Sequence, residues 1–193
     1  EVREDGVGIV IGRLEADRPG AKTLLLGSHL DTVCGAGRFD GALGVLLPIV
    51  ALAELQRHGV KLPFAVEVIG FSEEEGVRFA GAYLGSKGYS GQLAESDLNM
   101  RDAVGESVRA ALTKFNRRNF APPAPAHRRG ELLGYVEVHI EQGPVLESRQ
   151  LAVGTVSAIA GQSRFKLTWT GRAGHAGTTP MALRHDALTG AAE

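Results

Sequence analysis

The stretch that most restricts what this chain can become is Gly27-Ser-His-Leu-Asp-Thr-Val-Cys-Gly-Ala-Gly-Arg-Phe-Asp-Gly-Ala-Leu-Gly44. A short apolar run, residues 23–26, precedes it, and an apolar segment of helical length follows from residue 45 to 55. The first reads as a buried strand and the second as a helix. A glycine-rich loop carrying His29, Asp31 and Asp40 is thereby placed at the C-terminal end of a strand. That is where an open α/β sheet puts its site. Imidazole with carboxylates suits a divalent metal that takes nitrogen and oxygen ligands. A lone His-x-Asp is common by chance, so the remaining residues have to decide.

Residues 7–14 alternate loosely and read as a strand, followed by a turn at Asp17-Arg-Pro-Gly20. Residues 23–27 and 64–71 are nearly continuous apolar runs, expected where both faces of a sheet are covered. Between them, residues 41–58 predict a helix that Gly59 stops and Pro48 kinks or breaks. The third strand delivers Ser72-Glu-Glu-Glu-Gly76. Three adjacent carboxylates repel one another; a solvated acidic turn and a set held by cations both account for them. Residues 80–89 read as a short helix, and Asp102 as the N-cap of a helix running through Phe115. Residues 116–130 form a polar, proline-bearing surface loop.

Residues 135–140 have strand periodicity, with Glu137, His139 and Glu141 on one face. Residues 153–159 read as another strand. In residues 163–170, Phe165, Leu167 and Trp169 alternate with polar neighbours, the pattern of a half-solvated antiparallel strand. The change of pattern places a domain boundary near Ala160. Beyond it a glycine loop displays His175, and Thr179 with Pro180 opens a helix as N-cap and first residue. The expected fold is α/β: a mixed, mostly parallel sheet flanked by helices over residues 1–160, then the start of a smaller α+β domain over residues 161–193.

Composition narrows the partners. A net charge of −1 gives no electrostatic case for nucleic acid or an anionic membrane. No run of about 18 apolar residues suggests a membrane span, and no signal peptide is visible. The single cysteine, Cys34, excludes an internal disulfide framework and fits a reducing, cytoplasmic setting. The chain lacks an initiator Met and reads as an internal piece of a longer protein. His58, His127 and His185 read as surface residues, Glu73 as a solvated loop residue and Cys34 as a loop filler; Arg184 either pairs with Asp186 or faces solvent.

Five motifs, in order, carry a resemblance: Gly-Ser-His-Leu-Asp-Thr-Val from residue 27, Gly-Arg-Phe-Asp-Gly-Ala-Leu-Gly from 37, Phe-Ser-Glu-Glu-Glu-Gly-Val-Arg-Phe from 71, His-Ile-Glu-Gln-Gly-Pro from 139 and Gly-His-Ala-Gly-Thr-Thr-Pro-Met from 174. Together they are similar to the amidase/hydantoinase/carbamoylase branch of the M20 metallopeptidase family. The resemblance implies two divalent ions, zinc or manganese, with cobalt or nickel acceptable. Asp40 would bridge them, His29 and His139 would complete one site, and Glu75 would bind the second ion. Glu74 would be the general base and Asp31 would orient His29. Gln142 would contact substrate, and His175 would reach across a homodimer, built through the smaller lid domain, to the substrate oxyanion.

In the family a terminal histidine of the second site lies near the end of the protein, and it has no counterpart in these 193 residues. The implied activity is hydrolysis of a linear ureido or carbamoyl C–N bond. The motif wording is most similar to allantoate amidohydrolases, which release ammonia and carbon dioxide from allantoate in purine degradation. N-carbamoyl-L-amino-acid hydrolases and β-ureidopropionases are the alternative. A non-catalytic fragment or dimerisation module is the reading from another class, and the isolated piece is expected to be poorly stable or inactive.

Overall fold

Five short runs pair into one sheet: β1 (Val2–Glu4), β2 (Val10–Leu14), β3 (Thr23–His29), β4 (Ala65–Phe71) and β5 (Leu132–Val136). The computed structural model describes residues 1–161, 163 and 165–192. Across the sheet the order is β1-β2-β4-β3-β5. β3 runs parallel to both β4 and β5, whereas β2 is antiparallel to β1 and β4. The fold is α/β and the sheet is mixed.

The central strands are those whose sequences are most continuously apolar. All seven residues of β4 are buried, which requires cover on both faces. One face is covered by helix α1 (Ala42–Arg57), which connects β3 to β4 and brings Val45 against Val66 and Val68. On the other face Ile9, Ile11, Leu25 and Ile69 cluster with Leu84, Leu98 and Val108, from helices α2 (Leu84–Tyr89), α3 (Glu95–Leu98) and α4 (Val108–Asn116). Both β3 and β4 therefore end, on the same side of the sheet, in the loops that carry the histidine and the acidic residues.

Four expectations are corrected. Helix α1 continues through Pro48 without a break: a proline removes one internal hydrogen bond, and this one is buried in the packed face. Asp102 does not cap α4. Ser107 does, accepting from Ala110 N at 3.1 Å, while the Asp102 carboxylate closes its own turn on Val104 N and Glu106 N and pairs with Arg78. The strand expected at residues 135–140 lies earlier, as β5, because its parallel pairing with β3 covers Thr23 to Leu26 and ends there. His139 and Glu141 fall past the strand.

Beyond Pro144 the strands and the helix expected from the sequence do not form among the described residues. The chain divides into two compact units, Glu1–Pro144 and Val145–Glu193. The second unit holds short helices α5 (Val145–Ser148) and α6 (Ala187–Ala192) and a 3₁₀ turn at Met181–Leu183. No strand occurs among its described residues, although strands were expected at 153–159 and 163–170; Gln162 and Arg164 lie outside the described residues. Alternation predicts which side chains share a face, but a strand forms only when a neighbour takes its backbone hydrogen bonds. Thr179 and Pro180 do not start a long helix either. Asp186 caps α6 through Leu188 N and Thr189 N. Arg184 turns back onto the carbonyls of Thr179 and Ala176 rather than pairing with Asp186. Among the described residues no helix is long and apolar enough to cross a membrane.

Candidate metal centre

Asp40 lies just ahead of α1, and Gly41 caps that helix with φ 75°. A side chain at Gly41 would meet the ring and the carbonyl of His29. The glycine thus meets two requirements at once: a left-handed turn into the helix and room for an imidazole against the backbone. Asp40 is buried and so is His29, at the last position of β3.

His139 reaches the same point from 110 positions along the chain. Its stretch is fastened to β3 by Glu137, which accepts from Ser28 Oγ at 2.5 Å and from the Tyr135 hydroxyl at 2.9 Å. The result brings one ligand atom each from His29, Asp40 and His139 within 4.8 Å of one another. His139 Nε2 is 3.3 Å from Asp40 Oδ1, and His29 Nε2 is 3.6 Å from Glu75 Oε1.

The donor set fits a cation. His29 Nδ1 faces the Asp31 carbonyl at 2.6 Å, and His139 Nδ1 faces the Ile140 carbonyl at 2.8 Å. A carbonyl only accepts, so each Nδ1 carries a proton and each ring is left with Nε2 as the atom that can ligate. The two Nε2 atoms lie 3.2 Å apart beside a carboxylate. Two imidazole nitrogens and a carboxylate oxygen this close offer three ligand atoms to one cation.

Asp31 meets His29 through its main chain. The His29 ring is held by the Asp31 backbone oxygen. The Asp31 carboxylate accepts from Glu74 N and from Glu75 N, each at 3.0 Å. One residue therefore ties the histidine loop to the acidic loop, with its carbonyl on one and its carboxylate on the other.

Glu73, Glu74 and Glu75 separate by environment. Glu75 turns toward His29. Burial pushes the Glu74 carboxyl above its ordinary range; hydrogen bonds from Ser86 offset part of this and the nearby Asp31 carboxylate adds to it. Glu73 is raised by burial and by Asp31 as well. Gln142 donates from Nε2 to both oxygens of Asp40, at 3.1 and 3.2 Å. His175 belongs to the second unit, is exposed, and accepts from Gly177 N. The structure thus gathers His29, Asp31, Asp40, Glu74, Glu75, His139 and Gln142 in the first unit.

Sequence reasoning passed over Ser86 and Glu137 as partners in this region, and it misplaced His127. Rather than lying at the surface, His127 is mostly buried and 2.9 Å from the Glu67 carboxylate. The signal for Glu137 was present in the period shared with His139; a lone serine in a short glycine-bearing helix carried none.

A model described as peptidase family M20/M25/M40 matches residues 25–193. The N-carbamoyl-L-amino acid amidohydrolase of Geobacillus stearothermophilus is 43% identical over 192 residues, covering 100% of this chain and 47% of that protein. The allantoate deiminase of Arabidopsis thaliana is 46% identical over 194 residues, covering 98% of this chain and 37% of that protein. Among solved structures, a hydantoinase/carbamoylase family amidase from Burkholderia ambifaria matches with TM-score 0.71 at 36% identity, over 100% of this chain and 46% of that one. The chain spans less than half the length of these relatives.

Proposed function

The chain belongs to peptidase family M20/M25/M40, and from that premise we propose that it forms part of a metal-dependent amidohydrolase cleaving a linear ureido or carbamoyl C–N bond. The observation that carries this reading is the convergence of His29, Asp40 and His139, which brings two imidazole Nε2 atoms together beside one carboxylate. His29 and His139 would hold one divalent ion, Glu75 would serve a second, and Asp40 would bridge the two. Zinc and manganese both suit this donor set, as do cobalt and nickel. When bound, such ions supply positive charge that polarises a substrate oxygen and makes water easier to deprotonate.

The protein's own groups do the rest. Glu74 takes a proton from the attacking water on a carboxylate oxygen and returns it to the leaving nitrogen. Its raised proton affinity suits both halves of that transfer. Glu75, one residue away and turned to His29, serves as a ligand. Asp31 keeps the two glutamates apart by gripping their backbone amides. Gln142 holds Asp40 and offers its amide to substrate, and His175 contacts the substrate oxygen from a partner copy in a homodimer. Such a substrate is small and soluble, consistent with a cytoplasmic protein that needs neither nucleic acid nor membrane.

Allantoate is the preferred substrate, supported by the 46% identity to the Arabidopsis deiminase. The Geobacillus relative, 43% identical, supports N-carbamoyl-L-amino acids as the second reading. The test uses the full-length protein, stripped of metal and reloaded. Ammonia release from allantoate is followed beside amino-acid release from several N-carbamoyl-L-amino acids, with Glu74→Gln as control. Turnover of allantoate, lost in Glu74→Gln, is the expected result. Turnover of carbamoyl amino acids instead keeps the mechanism and replaces the substrate. Inactivity on both, with metal bound, overturns the reading.

A further inference from the structure

The first turn of α2 is stitched onto the acidic loop. Tyr83 N donates to the Glu74 carbonyl at 2.9 Å, and Leu84 N donates to the Glu73 carbonyl at 3.1 Å. A side chain at Gly85 would run into the backbone of Ser72, so only glycine lets the helix come this close. The next residue, Ser86, places its hydroxyl 3.0 Å from one oxygen of the Glu74 carboxylate and 3.2 Å from the other. Its remaining acceptor, the Tyr83 carbonyl, is farther away at 3.3 Å and uncharged. The single hydroxyl proton therefore points to the carboxylate.

We infer that Ser86 is a positioning residue for the hydrolytic step: its hydroxyl holds the Glu74 carboxylate in the one orientation from which it can take and return a proton. This rests on the reading of Glu74 as the base. A glutamate has three side-chain torsions, and proton transfer demands hydrogen-bond reach at a fixed angle. Backbone contacts fix where Glu74 begins, and Ser86 holds where it ends, through its hydroxyl at 3.0 and 3.2 Å with support from its own backbone amide. Ser86 keeps its own proton throughout. Glu74 begins and finishes the cycle as a carboxylate, gaining a proton from water and losing it to the leaving nitrogen. The Ser86 hydroxyl bonds to Glu74 and to the Tyr83 carbonyl and, among the described residues, to neither histidine nor Asp40, so its removal should leave the cation site as it was.

The experiment compares Ser86→Ala, Ser86→Val and Ser86→Thr in the full-length, metal-loaded protein, beside Glu74→Gln. Thr and Val have nearly the same shape and differ by the hydroxyl, so a packing fault affects both. Loss of a hydrogen bond to a charged group corresponds to roughly tenfold to a hundredfold in rate. That loss is expected in kcat for the Ala and Val variants, with KM and metal content unchanged, and Thr is expected to restore most of kcat. Crystal structures of the Val and Thr variants give a readout independent of turnover: the Glu74 carboxylate should lose its single orientation in the first and keep it in the second. Wild-type kcat in Ser86→Val while Glu74→Gln is inactive overturns the inference and leaves the base in place. Equal loss in Val and Thr, or loss of bound metal, also overturns it, because the effect is then one of packing. Full activity in Glu74→Gln overturns the base assignment and this inference with it.

Discussion

Two glutamates, one in the middle of β4 and one just past its end, are both drawn away from water and respond in opposite directions. Glu67 has a side chain only 2% exposed. Burial alone would raise its carboxyl. Hydrogen bonds from His127 and Tyr89, with the charges of His127 and Arg3, outweigh burial and hold it below its ordinary value. Arg13 adds an ion pair at 3.2 Å. Glu74 is only partly buried, with a serine hydroxyl as its side-chain donor and a second carboxylate nearby, and it is raised. What accompanies a buried carboxylate decides its role. Ringed by cations, Glu67 is committed to its charge and joins β1, β2, α2 and the loop bearing His127. Held by the uncharged donors of Ser86, Glu74 remains able to accept a proton.

The sharpest break of this contrast is Glu74→Gln in the full-length protein. It is expected to lower kcat by about 10²–10⁴-fold while the melting temperature stays that of the wild type; a stability loss as large as the activity loss would make Glu74 another structural residue. Next comes Glu67→Ala, which takes the shared carboxylate from Arg3, Arg13 and His127, of which Arg13 keeps Glu15 as a partner. Breaking a buried pair costs about 3–5 kcal/mol. Arg3 is partly exposed and recovers water, so urea unfolding should show about 3 kcal/mol, with kcat per folded molecule unchanged.

A smaller effect is expected from Gly41→Ala, which strains a left-handed residue and pushes on the His29 ring. Displacing a ligand's support weakens metal binding by roughly tenfold to a hundredfold, measurable by calorimetric zinc titration of the apo protein. Unchanged affinity would remove His29 from the centre. The smallest effect is in pH dependence. Because Glu67 titrates below its ordinary 4.5 in the fold, its contribution is fully present above that value. The contribution is lost as pH falls through the lower, folded pKa. Glu67→Gln should therefore flatten the acid limb of the stability curve, read by denaturant melts from neutral to acidic pH.

The two units differ in what local sequence can decide. In the first, the apolar runs that became β3 and β4 were legible because a strand buried on both faces needs no partner-specific pattern. In the second, the alternation of Phe165, Leu167 and Trp169 had the right period, yet no described residue there is in a strand. Periodicity describes side chains, whereas a sheet is made by backbone pairing across the chain. The same limit explains the caps. Asp102, Ser107, Thr179 and Asp186 are all plausible N-caps in sequence, and only neighbouring contacts such as Arg78 on Asp102 select among them.

By itself, the sequence determined the α/β class, the loop that carries His29, Asp31 and Asp40, and the acidic loop that carries Glu74 and Glu75. Each is a local matter of apolar runs, glycines and adjacent residues. Tertiary structure alone decided that His139 lies beyond its strand yet meets His29, that Asp31 divides its carbonyl and carboxylate between two loops, and that His127 is drawn onto Glu67. It also decided that Ser86 reaches the Glu74 carboxylate. These contacts join residues far apart in the chain or in different elements. Their geometry depends on the register of β3 with β4 and β5 and on the close approach of α2, which no short window of residues encodes.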